Sequence, residues 1–483
     1  MPTLQLNPEN FHDVEVNGKR YVMAVRDTSI FELDEASSVL LDHLKSERTV
    51  TSESLFRVME AKYSREQIQE ILEGLTELQI ITQDPGKEIP VKKKVEIKST
   101  PLTTIVLNVS NKCNMGCHYC YGEGFEDLKT GKQMEWEVAK QSVDFLFENS
   151  GSNKKLTIVF FGGEALLNFK LIKQVVPYAK DLAKKMGKWV DFTVTTNATV
   201  LNKEMIHFLK EHRFGVTVSI DGPREIHDQQ RVFKGGQGTY DVIVPKVKEL
   251  LSTYRSRPIG ARVTLTRGVT QVQRIFDHLM ELGFYEVGFS PVTSGSNQSF
   301  ALTVVDLAEI YAGFRELAQI FLEKALKDEY LGFSNLSQIV MDFYHGTNKF
   351  LPCGAGIGLL DIDPKGDVYL CHRFPSTPGS EVHSYGNVQK GVDFTGLRMF
   401  LGEAHIDNKA DCSKCWIRHL CAGGCYHEAF TRYGDALHPN LHYCDILRSW
   451  QEIGLRVYLE IMEKNPGFIT KYLEPRRANY ETL

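Results

Sequence analysis

Thr104-Ile-Val-Leu-Asn-Val109, followed three residues on by Cys113-Asn-Met-Gly-Cys117-His-Tyr-Cys120, is the stretch from which this 483-residue sequence is best read. The short apolar run predicts a buried strand, and the cysteines fall on the loop that leaves it. Four thiolates would close a cubane iron-sulfur site or a structural zinc site, so three leave one metal position for a ligand that is not protein. His118 is badly placed to complete a zinc knuckle. It follows Cys117 directly and would have to fold back on it.

Outward from that strand, the chain alternates short apolar runs with amphipathic segments. Strands are predicted at 104–109, 156–161, 190–196, 215–220, 260–266 and 285–290. Helical periodicity separates them, as from Leu171 to Leu182 and from Val242 to Leu251. Six β/α repeats predict an α/β fold, a parallel sheet curled into a partial (β/α)6 barrel with function at the carboxyl ends of its strands. The expected organisation is a small domain at 1–86, a Pro-, Gly- and Lys-rich linker at 87–99, the barrel at 100–300, bridging helices at 301–349 and a cysteine-rich region at 350–483.

Within 1–86, three short strands, two of them joined at Asn17-Gly18, precede three helical patterns, which predicts a winged helix-turn-helix. Such a fold often binds DNA, but this segment carries 16 Asp and Glu against 8 Lys and Arg, a field that repels phosphate. Peptide binding along an exposed strand edge suits it better. For the whole chain the net charge is −5 with 42% hydrophobic residues, and no basic block points to nucleic acid. The first ten residues lack a basic start and an apolar core, and no apolar run approaches the ~18 residues of a membrane helix, so a cytoplasmic protein is expected. All ten cysteines lie in two groups, none before 113 and none between 121 and 352, a clustering that reads as metal sites rather than disulfides.

The Cx3CxxC triplet with Tyr119 before its last cysteine resembles the signature of radical S-adenosylmethionine (SAM) enzymes. The resemblance implies a [4Fe-4S] cluster on Cys113, Cys117 and Cys120 whose open iron takes SAM, with an electron donor such as flavodoxin or ferredoxin. The second predicted strand ends in Gly162-Gly163-Glu164, similar to the family's motif for the methionine ammonium. The fourth ends in Ser219-Ile-Asp221-Gly-Pro223 followed by Arg231. A similar arrangement in sulfatase-maturase-like members implies that the serine and arginine contact the cofactor. Thr196-Asn197 and Arg262 are further candidates for the same surface.

The remaining cysteines, Cys353, Cys371, Cys412, Cys415, Cys421, Cys425 and Cys444, resemble the SPASM extension that holds two auxiliary [4Fe-4S] clusters. The resemblance assigns Cys412, Cys415, Cys421 and Cys444 to one cluster and Cys353, Cys371 and Cys425 to another that is one ligand short. Sulfatase maturases close that cluster with an extra cysteine, absent from Gly354 to Leu360. They also carry a catalytic aspartate where His372 stands, so His372 is the candidate base. Together these features resemble thioether-forming maturases that act on a ribosomal precursor peptide whose leader the N-terminal domain binds. Carbon-carbon cross-linking and formylglycine-type Ser or Cys oxidation are the alternatives. An iron-sulfur sensor acting on DNA is disfavoured by charge.

Overall fold

The computed structural model describes residues 3–47, 49–83, 95–120, 131–293, 299–375 and 377–475. Most of the expected linker lies outside them, and residues 95–99 carry neither helix nor strand. No helix among the described residues is long and apolar enough to cross a membrane.

The amino-terminal part contains β1 (Thr3–Leu6), β2 (Phe11–Val16), β3 (Lys19–Ala24), β4 (Ile30–Leu33), α1 (Glu35–Glu47), β5 (Thr49–Thr51), α2 (Ser52–Met59), α3 (Arg65–Glu77) and β6 (Ile81–Gln83). Asn17 and Gly18 both take positive φ, 53° and 76°, as a two-residue turn between β2 and β3 requires. Strands β2, β3 and β4 form one antiparallel sheet, and β1 is paired by β5 and β6 in a second. This second sheet is absent from the sequence reading. Its strands are three or four residues long and too polar to show a period.

The barrel follows as β7 (Thr104–Ser110), α4 (Trp136–Glu148), β8 (Lys155–Gly162), α5 (Phe169–Lys185), β9 (Trp189–Thr196), α6 (Lys203–Glu211) and β10 (Gly215–Ser219), continuing through α7 (Arg224–Gln230), α8 (Tyr240–Thr253), β11 (Ile259–Leu265), α9 (Val272–Glu281) and β12 (Glu286–Pro291). The six strands are parallel and lie in chain order, as expected. Each has two unlike faces. Leu156, Ile158 and Phe160 of β8, Val216 and Val218 of β10, and Ala261, Val263 and Leu265 of β11 are buried beneath the helices. Thr157, Val159, Phe161, Thr217, Ser219, Arg262 and Thr264 alternate with them and line a partly open lumen.

After α10 (Val304–Leu326) and α11 (Ser334–Tyr344), the chain enters β13 (Leu359–Ile362), which pairs in parallel with β7. β14 (Asp367–Tyr369), β15 (Ser384–Asn387) and β16 (Gly391–Val392) continue antiparallel. The expected boundary near residue 350 is therefore crossed by one sheet running from β12 to β16, and both sides share one apolar core. Then come α12 (Phe394–Ala404), α13 (Arg418–Cys421), α14 (Tyr426–Tyr433) and α15 (Cys444–Lys464). α15 packs against α10 and α11 through Trp450, Phe314 and Phe333, and Gly454 passes so close to α11 that a Cβ there would lie 2.1 Å from Ile339 Cγ2.

β2 and β3 are clamped onto this carboxyl-terminal part. Val14, Val16, Tyr21, Met23 and Val25 join its core. His12 stacks on Trp416 at 3.8 Å between ring centroids and shares a 2.6 Å hydrogen bond with Glu452. Arg418 donates to Glu9 O at 2.7 Å and to Asn10 Oδ1 at 2.9 Å.

Candidate active site

The loop after β7 carries Cys113, Cys117 and Cys120 and is held in place by segments distant in sequence. Gly116 N donates to Val232 O at 2.8 Å and His118 N to Gln230 O at 3.1 Å, which brings Arg231 beside Cys117. Beneath the loop crosses the turn after β8: Gly163 N donates to Ser110 O at 2.8 Å and Glu164 N to Lys112 O at 2.9 Å. A Cβ on Gly162, whose φ is +139°, would lie 2.2 Å from Ser110 O, and one on Gly163 would lie 2.4 Å from Lys112 O. The glycines are thus required by the crossing of two loops of this chain, a nearer cause than the approach of a cofactor.

Glu164 is almost wholly buried, and its carboxylate accepts from Thr196 Oγ1 at 2.7 Å, Asn197 N at 2.7 Å and Leu166 N at 3.1 Å. Burial pushes its pKa up while these donors hold it down. Asn197 also places its amide 3.9 Å from Cys113 Sγ. Thr196 and Asn197, weak candidates in the sequence, therefore anchor the carboxylate at the end of β8.

Asp221 is fully buried and is the hub of the opposite wall. It accepts from Tyr119 Oη at 2.8 Å, Arg231 Nε at 2.9 Å and Thr264 N at 2.9 Å. The Arg231 guanidinium lies 5.3 Å from the Tyr119 ring centroid. Tyr119 and Arg231 are thereby tied to Asp221, whereas Ser219 remains on the lumen face beside Arg262, its register partner. His227 supports the hub: its Nδ1 accepts from Asp221 N at 3.2 Å, and its other nitrogen lies 2.9 Å from Thr239 Oγ1, which itself donates to Arg231 O at 2.7 Å. The imidazole is neutral, with burial and Arg231 lowering its pKa to about 3.

The ten thiols fall into three groups within electrostatic reach of one another: Cys113, Cys117 and Cys120; Cys353, Cys371 and Cys425; and Cys412, Cys415, Cys421 and Cys444. None is in a disulfide. The group of four lines a cavity of about 40 Å3 with Gly423, Gly424 and Asn440, and Arg448 Nη1 lies 3.9 Å from Cys415 Sγ. Burial pushes Cys113 up to about 12 and Cys412 up to about 11, and it raises Cys117 to about 11 against the pull of Arg231. A metal bound by these thiols would have to displace protons. Among the described residues no three Cys, His, Asp or Glu side chains close on a single-ion site.

Cys371 of the second group is followed by His372 and Arg373. The His372 ring sits 4.6 Å from the lumen-facing Phe161 ring, and burial, with Arg373 adding to it, lowers its pKa to about 4. A neutral imidazole of that basicity is a weak proton acceptor near neutral pH. Arg373, which no motif marked in the sequence, donates to Thr293 Oγ1 at 2.5 Å and reaches Cys425 Sγ at 4.0 Å.

A parallel six-stranded lumen with a three-thiol loop at its rim defines the class, and comparison with known proteins agrees. Residues 107–285 match the family model described as the radical SAM superfamily. The serine-type anaerobic sulfatase-maturating enzyme of Bacteroides thetaiotaomicron is 32% identical over 371 residues, 71% of this chain and 86% of that protein. The structure of native anSMEcpe with bound AdoMet superposes with a TM-score of 0.63 at 20% identity, covering 75% of this chain and 99% of that one. Streptococcus suis SuiB bound to its precursor peptide SuiA has a TM-score of 0.51 at 14% identity and covers 92% of this chain and all (100%) of that one. The chain belongs to the radical SAM superfamily, whose members use a [4Fe-4S] cluster and SAM. Within that superfamily it is a peptide-modifying enzyme of the SPASM family.

Proposed function

We propose that this enzyme installs thioether cross-links between cysteine sulfur and a carbon of an acceptor residue in a ribosomally made precursor peptide. The reading is carried by the meeting of Cys353, Cys371 and Cys425 without a fourth thiol: the other seven cysteines are gathered into the remaining groups, and Gly354 to Leu360 supplies none. Three [4Fe-4S] clusters with SAM would supply hydrogen abstraction and electron transfer. Cys113, Cys117 and Cys120 would hold the first cluster, and the other two groups would hold the auxiliary pair. Glu164, Asn197 and Ser219 would orient the cofactor, with Asp221 fixing Tyr119 and Arg231 behind it. His372 would border the peptide as a hydrogen-bonding neighbour of the incomplete thiol group.

In the overall reaction the peptide loses two hydrogens: one leaves with the deoxyadenosyl group, and the other leaves as a proton with its electron returned to the protein. An external one-electron donor, such as flavodoxin or ferredoxin, primes the cycle. Residues 1–86, with a net charge of −8, suit a basic leader and not nucleic acid, and β4 offers the sheet edge remote from α15. A cytoplasmic setting fits thiols that are not joined in disulfides.

A formylglycine-type oxidation is favoured by the sulfatase-maturating relative, and His372 in place of an aspartate opposes it. Anaerobic reconstitution with candidate precursors and fragmentation mass spectrometry separates the two. Loss of two hydrogens shared by a cysteine and a second residue is expected. Conversion of a cysteine-free precursor, with a cysteine-bearing one ignored, would overturn the thioether reading.

A further inference from the structure

Lys409 is the only buried lysine among the described residues, with 5% of its surface exposed. Its ammonium donates to Leu437 O at 3.0 Å, and among the described residues no carboxylate lies within ion-pair distance of it. Asp435 bears on it from beyond that distance, at the exposed surface, where its Oδ1 accepts from Leu437 N at 2.8 Å. A cation taken out of water without a counter-charge is strongly disfavoured. The buried pair of Arg231 with Asp221 shows how the same fold treats a guanidinium in the interior.

What lies beside the ammonium is the wall of the four-thiol cavity. Lys409 O accepts from Cys412 N at 3.0 Å, so the lysine opens the turn that carries the first of these thiols. A Cβ on Gly423 would lie 2.6 Å from Lys409 Cδ and 2.9 Å from its Nζ, which places the side chain flat against that glycine. Gly423 in turn lines the cavity together with Cys412, Cys415, Cys421 and Cys444. Two arginines also approach the group, but each has contact with solvent and partners of its own. Arg418 is held by Glu9 O and Asn10 Oδ1, and Arg448, 3.9 Å from Cys415 Sγ, is paired with Asp445. Water screens them, whereas it does not screen Lys409.

We propose that Lys409 is the built-in counter-charge of an iron-sulfur cluster carried by Cys412, Cys415, Cys421 and Cys444, and that it raises the reduction potential there. A cubane on four thiolates would bring net negative charge, and one charge more on reduction. A fixed cation shielded from water stabilises the more negative state most, so Lys409 favours the uptake of an electron at these thiols. It is a positioning residue, which touches neither peptide nor cofactor methionine. The inference rests on the assignment of a cluster to the group of four and gives that cluster an electrostatic bias.

The test uses the full chain, iron-free and after anaerobic reconstitution with iron and sulfide. Cys412→Ser identifies the paramagnetic resonance signal that belongs to the group of four. Lys409→Met, which removes the charge at similar length, should change the ratio of reduced to oxidised cluster in that signal about tenfold, a downward shift of about 59 mV for one electron. Signals that survive Cys412→Ser should keep their potentials. Lys409→Gln, which still offers a donor to Leu437 O, should show the same shift and so separate lost charge from lost packing. Thermal midpoints supply a second readout: both variants should raise the midpoint of the iron-free protein, where the ammonium is uncompensated, and lower that of the loaded protein. Unmoved potentials in both variants would overturn the role of Lys409 and leave the cluster assignment standing, and so would equal destabilisation of the iron-free and loaded forms. Cys412→Ser protein that loses neither iron nor a signal would overturn the assignment and the proposal together.

Discussion

At the scale of single residues, the buried ion pair of Asp221 with Arg231 is the electrostatic anchor of the site. Removing Asp221 would leave Arg231 charged and unpaired in the interior, and a one-sided deletion of a buried pair typically costs about 3–5 kcal/mol. Asp221→Ala should lower the urea midpoint accordingly and uncouple Tyr119 as well. His227 gives a pH signature. Its folded pKa, about 3, lies below its ordinary 6.5, so between those values the unfolded chain binds a proton that the folded chain refuses. The stabilisation is complete above pH 6.5 and is lost as pH falls toward 3, by up to about 1.4 kcal/mol per unit. Urea midpoints measured from pH 7.5 to 5 should therefore fall, and His227→Gln should flatten the slope.

At the scale of elements, the barrel strands were legible because each needs one face apolar against helices, and that demand sets both composition and spacing. All six are found within about two residues of their expected limits. The motifs Gly162-Gly163-Glu164 and Ser219 to Arg231 were equally visible, but their internal economy was not: that the glycines serve a loop crossing, or that Asp221 gathers three donors, depends on contacts between segments far apart in sequence. Arg373 went unnoticed because an arginine beside a cysteine carries no pattern. The short strands β1, β5, β6 and β13 to β16 were missed because their place is set by their partners. Gly163→Ala should push the cysteine loop off its turn, cutting SAM cleavage and the iron bound there. Gly454→Val should part α15 from α11 at a cost of about 1–3 kcal/mol, read by chemical denaturation.

At the scale of the whole molecule, the amino-terminal sheet is not a loose appendage. His12, Glu9 and Asn10 grip Trp416 and Arg418, which lie between Cys415 and Cys421, and Arg456 donates to Glu15 O at 2.8 Å. Deleting residues 1–86 should therefore uncover an apolar face and loosen the loop that carries the group of four thiols. Iron counting on reconstituted protein is expected to fall from roughly twelve toward roughly eight per chain, with a lowered thermal midpoint. Retention of all the iron would show that the grip is dispensable.

The pairing of β13 with β7 has one more consequence. Cys113, Cys117 and Cys120 leave the end of β7, while Cys353 and Cys371 flank the β13–β14 hairpin on the adjacent strand of the same ladder. Hydrogen bonds between neighbouring strands fix their spacing, so the first trio and two thiols of the second, Cys353 and Cys371, are tied to a ruler that cannot stretch. A peptide presented to both would have to match that gauge. Variants that alter which positions are joined should map to the loops and lumen side chains, with the ladder itself left untouched.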